Sequence, residues 1–188
     1  MIVETMVWWY NTTGESRMKL KKLVFLAILI SASIVLSIVE SLISTALFII
    51  PGVKLGLANI VTLILFYIYG ERDAFIVLII RIFLVGLIYS GLFQPTFWMS
   101  LSGGVFAFVT MIIVKKIRIF SMVSVSVSGS LMHMVGQIVM AMVVLNTATL
   151  NYYLPYMILL SIPTGIFTGI VAKRMVRIFE NQLLKRAE

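Results

Sequence analysis

The chain has 188 residues, of which 61% are hydrophobic and 12% charged, and its formal net charge is +8. With a mean hydropathy of +1.12, it has too little polar surface to cover a soluble globule of this length. The composition indicates an integral membrane protein without room for a separate catalytic domain. Its basic residues lie beside apolar stretches, where they set topology and meet anionic lipid, so nucleic acid is not expected as a partner. Cysteine is absent, which excludes disulfides and thiolate metal sites.

The positive charges predict the topology. All but two of the 15 Lys and Arg residues form clusters that alternate with apolar stretches, and such clusters remain on the cytoplasmic side. This arrangement predicts an all-α bundle of six transmembrane helices in the cytoplasmic membrane, with both termini in the cytoplasm. The exceptions are Lys54, at the outer side, and Arg81, within a span. The clusters lie at 17–22, 72, 115–118 and 173–186.

In chain order, residues 1–17 are expected to form a flexible extension, and 18–188 a single six-helix domain. Met18 is a second possible start. The apolar run 23–36 resembles a signal-peptide core, but the five apolar segments after it favour a retained first helix. The second span is the least secure: its ~15 residues reach only ~22 Å at 1.5 Å per residue, and a preceding loop that dips into the membrane would complete it. The spans are predicted at 23–43, 56–70, 74–93, 97–114, 119–145 and 155–172.

Depth along the helices sorts the polar residues. Ionisable groups inside a membrane are costly, so each is a candidate for function. Counting ~1.5 Å per residue places Glu40, His133 and Gln137 in the outer half of the bundle, with Lys54 just above. The predicted substrate-binding residues are Glu40, Lys54, Asn59, Tyr89, Trp98, His133 and Gln137.

Arg81 is expected to lie apart from this group. It is only ~11 Å above the inner boundary, so the depth count predicts no direct bridge to Glu40. Its side chain would extend towards the cytoplasm or bond to backbone carbonyls.

A polar stripe runs along the fifth span. Four side chains recur at i, i+4, i+7 and i+11, on one helical face. This face could line a cavity or form hydrogen bonds that hold the bundle together. No second ligand lies three or four residues from the single histidine, so no metal site, and no cofactor, is predicted. The stripe consists of Ser126, Ser130, His133 and Gln137.

Small residues recur at helical spacing on two spans, where they let helices approach closely. Gly165 and Gly169 are expected to pack inside the bundle. On the first span, the small residues Ala27 and Ser31, with Ala32, could equally dock a separate membrane protein.

The run Pro51 to Asn59, PGVKLGLAN, with Glu40 before it and Arg81 after it, resembles the Gx transporter family, also labelled heptaprenyl diphosphate synthase component I. The likeness covers roughly residues 19–177. More distantly, the family is similar to the substrate-binding S components of energy-coupling factor (ECF) transporters. That likeness implies a six-helix protein that captures a vitamin-like molecule from outside and works with a membrane coupling subunit and two ATPases. It also implies a coupling contact at Ala27, Ser31 and Ala32.

The synthase label can be tested against the residues that prenyl transfer requires. Prenyl transfer to a diphosphate needs aspartate clusters that hold Mg²⁺, and this chain has one aspartate, Asp73. No nucleotide-binding or hydrolase motif is present either, so no catalytic residue is assigned. The sequence favours a non-enzymatic substrate-binding subunit for a small cofactor-like molecule. The alternative is a non-catalytic membrane partner of an isoprenoid- or quinone-linked enzyme.

Overall fold

In the computed structural model, the backbone is described at residues 2–47, 53–117 and 119–184, and side chains at 20–44, 53–117 and 119–181. All regular structure in these segments is helical, which confirms the predicted all-α membrane protein. α3 continues directly into a π-helical turn, Gly86–Ser90, and a 3₁₀ helix, Ala148–Tyr153, precedes the last helix. The α-helices are α1 Ile2–Leu47, α2 Asn59–Ile68, α3 Glu71–Val85, α4 Pro95–Lys116, α5 Met122–Val144 and α6 Leu154–Leu184.

Within the described residues, five helices are long and apolar enough to cross a membrane. α2 is the exception because it has only 10 residues, about 15 Å of helix against a hydrocarbon core of about 30 Å. The predicted second span, 56–70, is therefore helical only in its central part. Six crossings and the side of each terminus stay predictions.

The N-terminal residues are helical in backbone. α1 begins at Ile2 and runs without a break into the first span, so residues 2–17 continue that helix. The expected flexibility of this extension stays a prediction. Proline and glycine stop a helix and turn the chain, so Pro51 and Gly52 predict the connection after the first span, but both lie outside the described residues.

Close helix contacts hold the C-terminal half of the bundle together. A Cβ added to Gly165 or Gly169 would lie 2.8 Å from the Cα of Val127 or Val123 on α5. The expected internal packing of this glycine pair is thus confirmed. The Ser126 and Thr168 hydroxyls join the same two helices by a 2.8 Å hydrogen bond.

α4 approaches α5 equally closely. A Cβ at Gly103 would lie 2.7 Å from Cγ of Gln137, and the Ser102 hydroxyl donates to the carbonyl of Gly136 at 2.9 Å. These contacts bring the polar stripe of α5 against the interior of the bundle. All four stripe residues are buried, with at most 4% of their surface exposed.

One end of the bundle carries residues from two of the basic clusters. Lys22 of α1 forms a 2.5 Å ion pair with Asp73 at the start of α3. Lys115 of α4 donates to the carbonyl of Phe66 at 3.1 Å and lies over the rings of Phe66 and Tyr67. The beginnings of α3 and of the apolar part of α1 therefore lie at the same end as the C-termini of α2 and α4.

α1 has two different faces. Ser33, Ser37 and Ser41 are buried against the bundle, and the Ser37 and Ser41 hydroxyls donate to carbonyls four residues earlier at 2.8 Å. The predicted docking residues lie on the opposite, exposed face, among large apolar side chains such as Ile28 and Val35. These docking residues are Ala27, Ser31 and Ala32.

Candidate ligand pocket

A non-helical segment, residues 53–58, lies in the interior of the bundle just before α2. Val53 is fully buried and Lys54 is 8% exposed. We call this segment the buried loop. A loop at membrane depth needs partners for its backbone groups because lipid supplies none, and two side chains from other helices supply them.

Glu40 of α1 is the first of these side chains. One carboxylate oxygen accepts hydrogen bonds from the backbone N–H groups of Gly56 and Leu57, and its distance to the Leu57 nitrogen is 2.9 Å. The other carboxylate oxygen accepts from the N–H of Ala58 at 3.3 Å. The carboxylate thus lies at the N-terminal end of α2, where unpaired N–H groups and the helix dipole favour a negative charge. Glu40 is 1% exposed, and it holds the buried loop in place.

Gln137 of α5 is the second side chain that supplies partners to the buried loop. Its carbonyl oxygen accepts from the N–H of Lys54 at 2.8 Å, and its amide nitrogen donates to the carbonyl of Lys54 at 3.2 Å. The same nitrogen donates to Nε2 of His133, one turn earlier on α5. Both amide protons are then used, and the loop is fixed to the polar stripe.

The geometry of the turn depends on a glycine at position 56. Gly56 has φ +88°, which is open to glycine and strained for other residues. A Cβ at this position would also lie 3.3 Å from both Nδ2 of Asn59 and Cδ2 of His133. The second glycine of the PGVKLGLAN run is therefore required by both backbone conformation and space.

Arg81 of α3 lies in the same region, not towards the cytoplasm as expected from depth. Its guanidinium donates through Nη2 to Oδ1 of Asn59 at 3.2 Å, and the side chain is 5% exposed. Arg81 Nη1 and Asn59 Nδ2 have no hydrogen-bond partner among the described residues. The expected separation of Arg81 from the outer polar group is therefore wrong.

Two features of the chain account for this correction. α3 begins at Glu71 and not near residue 74, which places Arg81 about 4.5 Å further from the inner end of the helix than the count assumed. The buried loop is non-helical, and extended chain advances up to ~3.3 Å per residue, against 1.5 Å in a helix. Asn59 consequently lies deeper than a helical count from the outer surface indicates.

A small pocket opens where these groups meet, and we call it the Arg81 pocket. A water-sized sphere can occupy about 20 Å³ of it, which is room for one or two water molecules. Charged and polar residues line it together with apolar side chains. It is lined by Ser37, Lys54, Ala58, Asn59, Arg81, Ile82, Val85, Ser90, Phe97, Ser100 and His133.

The structure brings together five of the seven predicted substrate-binding residues. Lys54, Asn59 and His133 line the pocket, while Glu40 and Gln137 lie behind them and hold the loop. The other two, Tyr89 and Trp98, are 45% and 37% exposed and are not among the lining residues.

Sequence reasoning missed Phe97, the aromatic residue that does line the pocket. Phe97 is 2% exposed and packs edge-on against Trp98, with ring centroids 5.5 Å apart. A helical position one residue away points in a different direction, which depth alone does not reveal. Arg81 did carry a signal, since an ionisable residue in a span is a functional candidate in its own right.

The charges of the pocket do not balance. Lys54 interacts electrostatically with both Glu40 and Arg81, but the described residues contain no ion pair within 4.0 Å that joins either cation to Glu40. The Glu40 carboxylate bonds to backbone amides instead. Among the described residues, the site thus holds two basic side chains, Lys54 and Arg81, and one acidic one, Glu40.

A model of the family described as heptaprenyl diphosphate synthase component I matches residues 29–175, which is more than half of the chain. The chain belongs to this family. The matched region includes Glu40, the buried loop, Arg81 and the polar stripe of α5. No curated protein and no solved structure gave a significant match.

We expect Glu40→Ala to destabilise this family member, because it leaves three N–H groups without an acceptor. The two at the buried residues Gly56 and Ala58 cost about 1–3 kcal/mol each. Glu40→Gln retains one acceptor oxygen and should be less severe. Thermal unfolding in detergent measures the stability, and the rate of maleimide reaction at Leu57→Cys in this cysteine-free chain reports on the loop. Glu180→Ala, an exposed change, is the control. Equally slow labelling of Leu57→Cys with and without Glu40 would contradict this role.

Proposed function

We propose that this heptaprenyl diphosphate synthase component I family protein is a substrate-binding membrane subunit. It takes up a small cofactor- or vitamin-like molecule and is energised by partner ATPases, as in ECF transporters. The observation that supports this proposal is the Arg81 pocket, a polar space inside an apolar bundle, whose lining residues Arg81 and Asn59 each carry a buried donor without a partner among the described residues. Binding pockets in membrane bundles have this character, a few placed polar groups among apolar walls.

The proposed topology has six crossings in the cytoplasmic membrane, with both termini in the cytoplasm. The buried loop and α2 together form the second crossing, since a short helix is completed by a segment whose backbone is satisfied by protein. The contacts of Lys22 and Lys115 at one end of the bundle support it, because basic residues mark the cytoplasmic side.

The exposed small-residue face of α1 is the proposed contact with a coupling subunit. Ala27, Ser31 and Ala32 offer the close approach that helix pairs in membranes use. They lie on the face of α1 opposite Ser37, which lines the pocket. Ligand and partner would therefore bind to separate surfaces.

A second candidate follows from the family description. In this reading the chain is a non-catalytic membrane partner of an isoprenoid- or quinone-linked enzyme. Its pocket would then bind a group of a lipid-like substrate. The two candidates differ in the partner that co-purifies.

Topology is tested with single cysteines in the cysteine-free chain. Thr149→Cys should react with an impermeant thiol reagent in intact cells, and Lys116→Cys should react only after the membrane is permeabilised. Both positions are exposed in the structure, so access to the reagent depends on the side of the membrane. Labelling of Lys116→Cys from outside would contradict the six-crossing arrangement.

The function is tested by purifying the full chain from native membranes and analysing its partners and bound small molecules by mass spectrometry. We expect a bound small molecule, a membrane coupling subunit and two ATPases. Ala27→Leu should remove the partners and ATP-dependent uptake while the bound molecule remains, because only the outer face of α1 changes. Val109→Leu, at an exposed position of α4 away from this face, is the control.

Recovery of a prenyl synthase in place of ATPases would favour the second candidate. If Ala27→Leu removed the small molecule together with the partners, the two surfaces would not be separate.

A further inference from the structure

We propose that the Arg81 pocket recognises an anionic head group of its ligand, a carboxylate or a phosphate, and that Arg81, Asn59 and Lys54 bind it. This inference rests on the proposed function, since it names the chemical class of the molecule that the pocket holds. In this proposal Arg81 is the principal residue that binds the anionic group.

The unpaired groups in the pocket are donors. The one hydrogen bond between Arg81 and Asn59 uses Nη2 and Oδ1, which leaves Nη1 and Nδ2 without partners in the described part of the chain. Both of these unpaired nitrogens can donate hydrogen bonds but cannot accept them. A ligand that satisfies both groups must therefore supply acceptor oxygens. Buried donors without acceptors are unfavourable, so such a ligand would stabilise the fold.

The charge of the site favours an anion over a neutral acceptor. Arg81 and Lys54 are both buried, at 5% and 8% exposure, and two like charges at close range repel. The acidic group nearby, Glu40, is bound to the amides of the buried loop. A bound anion would supply the negative charge that two buried cations require.

The size of the pocket suits a head group. The space of about 20 Å³ matches one or two water-sized atoms, such as the oxygens of a carboxylate or part of a phosphate. Ile82, Val85 and Phe97 form the apolar side of the lining, where they would contact the carbon atoms next to the charged group. The geometry points to an anion attached to an apolar or aromatic portion.

The test uses the full chain in nanodiscs of neutral lipid at constant ionic strength, with benzoate, inorganic phosphate and benzamide as probes. Benzamide has the shape of benzoate without its charge. Thermal unfolding midpoints at increasing probe concentration give the dissociation constants. We expect benzoate or phosphate to raise the midpoint in a saturable manner and benzamide to leave it unchanged.

Arg81→Gln and Lys54→Met should each weaken that binding by about 10- to 150-fold, the usual effect of losing a charge-assisted contact. Arg72→Gln removes an exposed cation at the start of α3 and should leave binding unchanged. A response to benzoate alone identifies a carboxylate site, and a response to phosphate alone identifies a phosphate site. Lys54→Met provides the test if Arg81→Gln fails to fold.

The proposal is overturned if benzamide stabilises the chain as much as benzoate, if neither anion acts, or if binding survives in folded Arg81→Gln. Native mass spectrometry separates this failure from that of the proposed function. A neutral or cationic molecule that co-purifies and is transported would contradict anion recognition alone. An anionic molecule that co-purifies without any uptake would contradict the transport function alone.

Discussion

The pocket depends on one interaction, the binding of three successive backbone N–H groups by the buried Glu40 carboxylate. A loop inside a membrane bundle is stable only where protein groups replace the water that its backbone lacks. Glu40 does this for the end of the loop that enters α2, and Gln137 does it for Lys54. With both anchors in place, the loop can pass through the interior and α2 can be only 10 residues long.

The same interaction determines the charge of the site. Because Glu40 is directed at backbone amides, it does not neutralise Arg81 or Lys54 by direct contact, and Arg81 Nη1 and Asn59 Nδ2 have no hydrogen-bond partner within the described part of the chain. The required glycine at position 56 and the close contact at Gly103 bring His133 and Gln137 against the loop. Structure and ligand binding therefore use different members of one polar cluster, with Glu40 and Gln137 as anchors and Arg81, Asn59 and Lys54 as donors.

Much of this arrangement could be predicted from the sequence because charge and hydropathy dominate membrane insertion. α3, α4 and α5 fall close to their predicted ranges, whereas α1 and α6 extend well beyond theirs. The polar face of α5 is buried as its spacing indicates. Depth counting failed for Arg81 because it assumed helical rise through a segment that is not helical. It also could not distinguish Phe97, which faces the pocket, from Trp98, which is partly exposed. Those differences depend on tertiary contacts of the buried loop, which no local pattern encodes.

The most direct measurement is an experimental structure of the chain purified with its native ligand. The account predicts density for an anionic group within hydrogen-bonding distance of Arg81 and Asn59, while the Glu40 carboxylate remains on the amides of residues 56–58. A ligand bound outside the Arg81 pocket, or a Glu40 carboxylate that contacts the ligand in place of the loop, would contradict it.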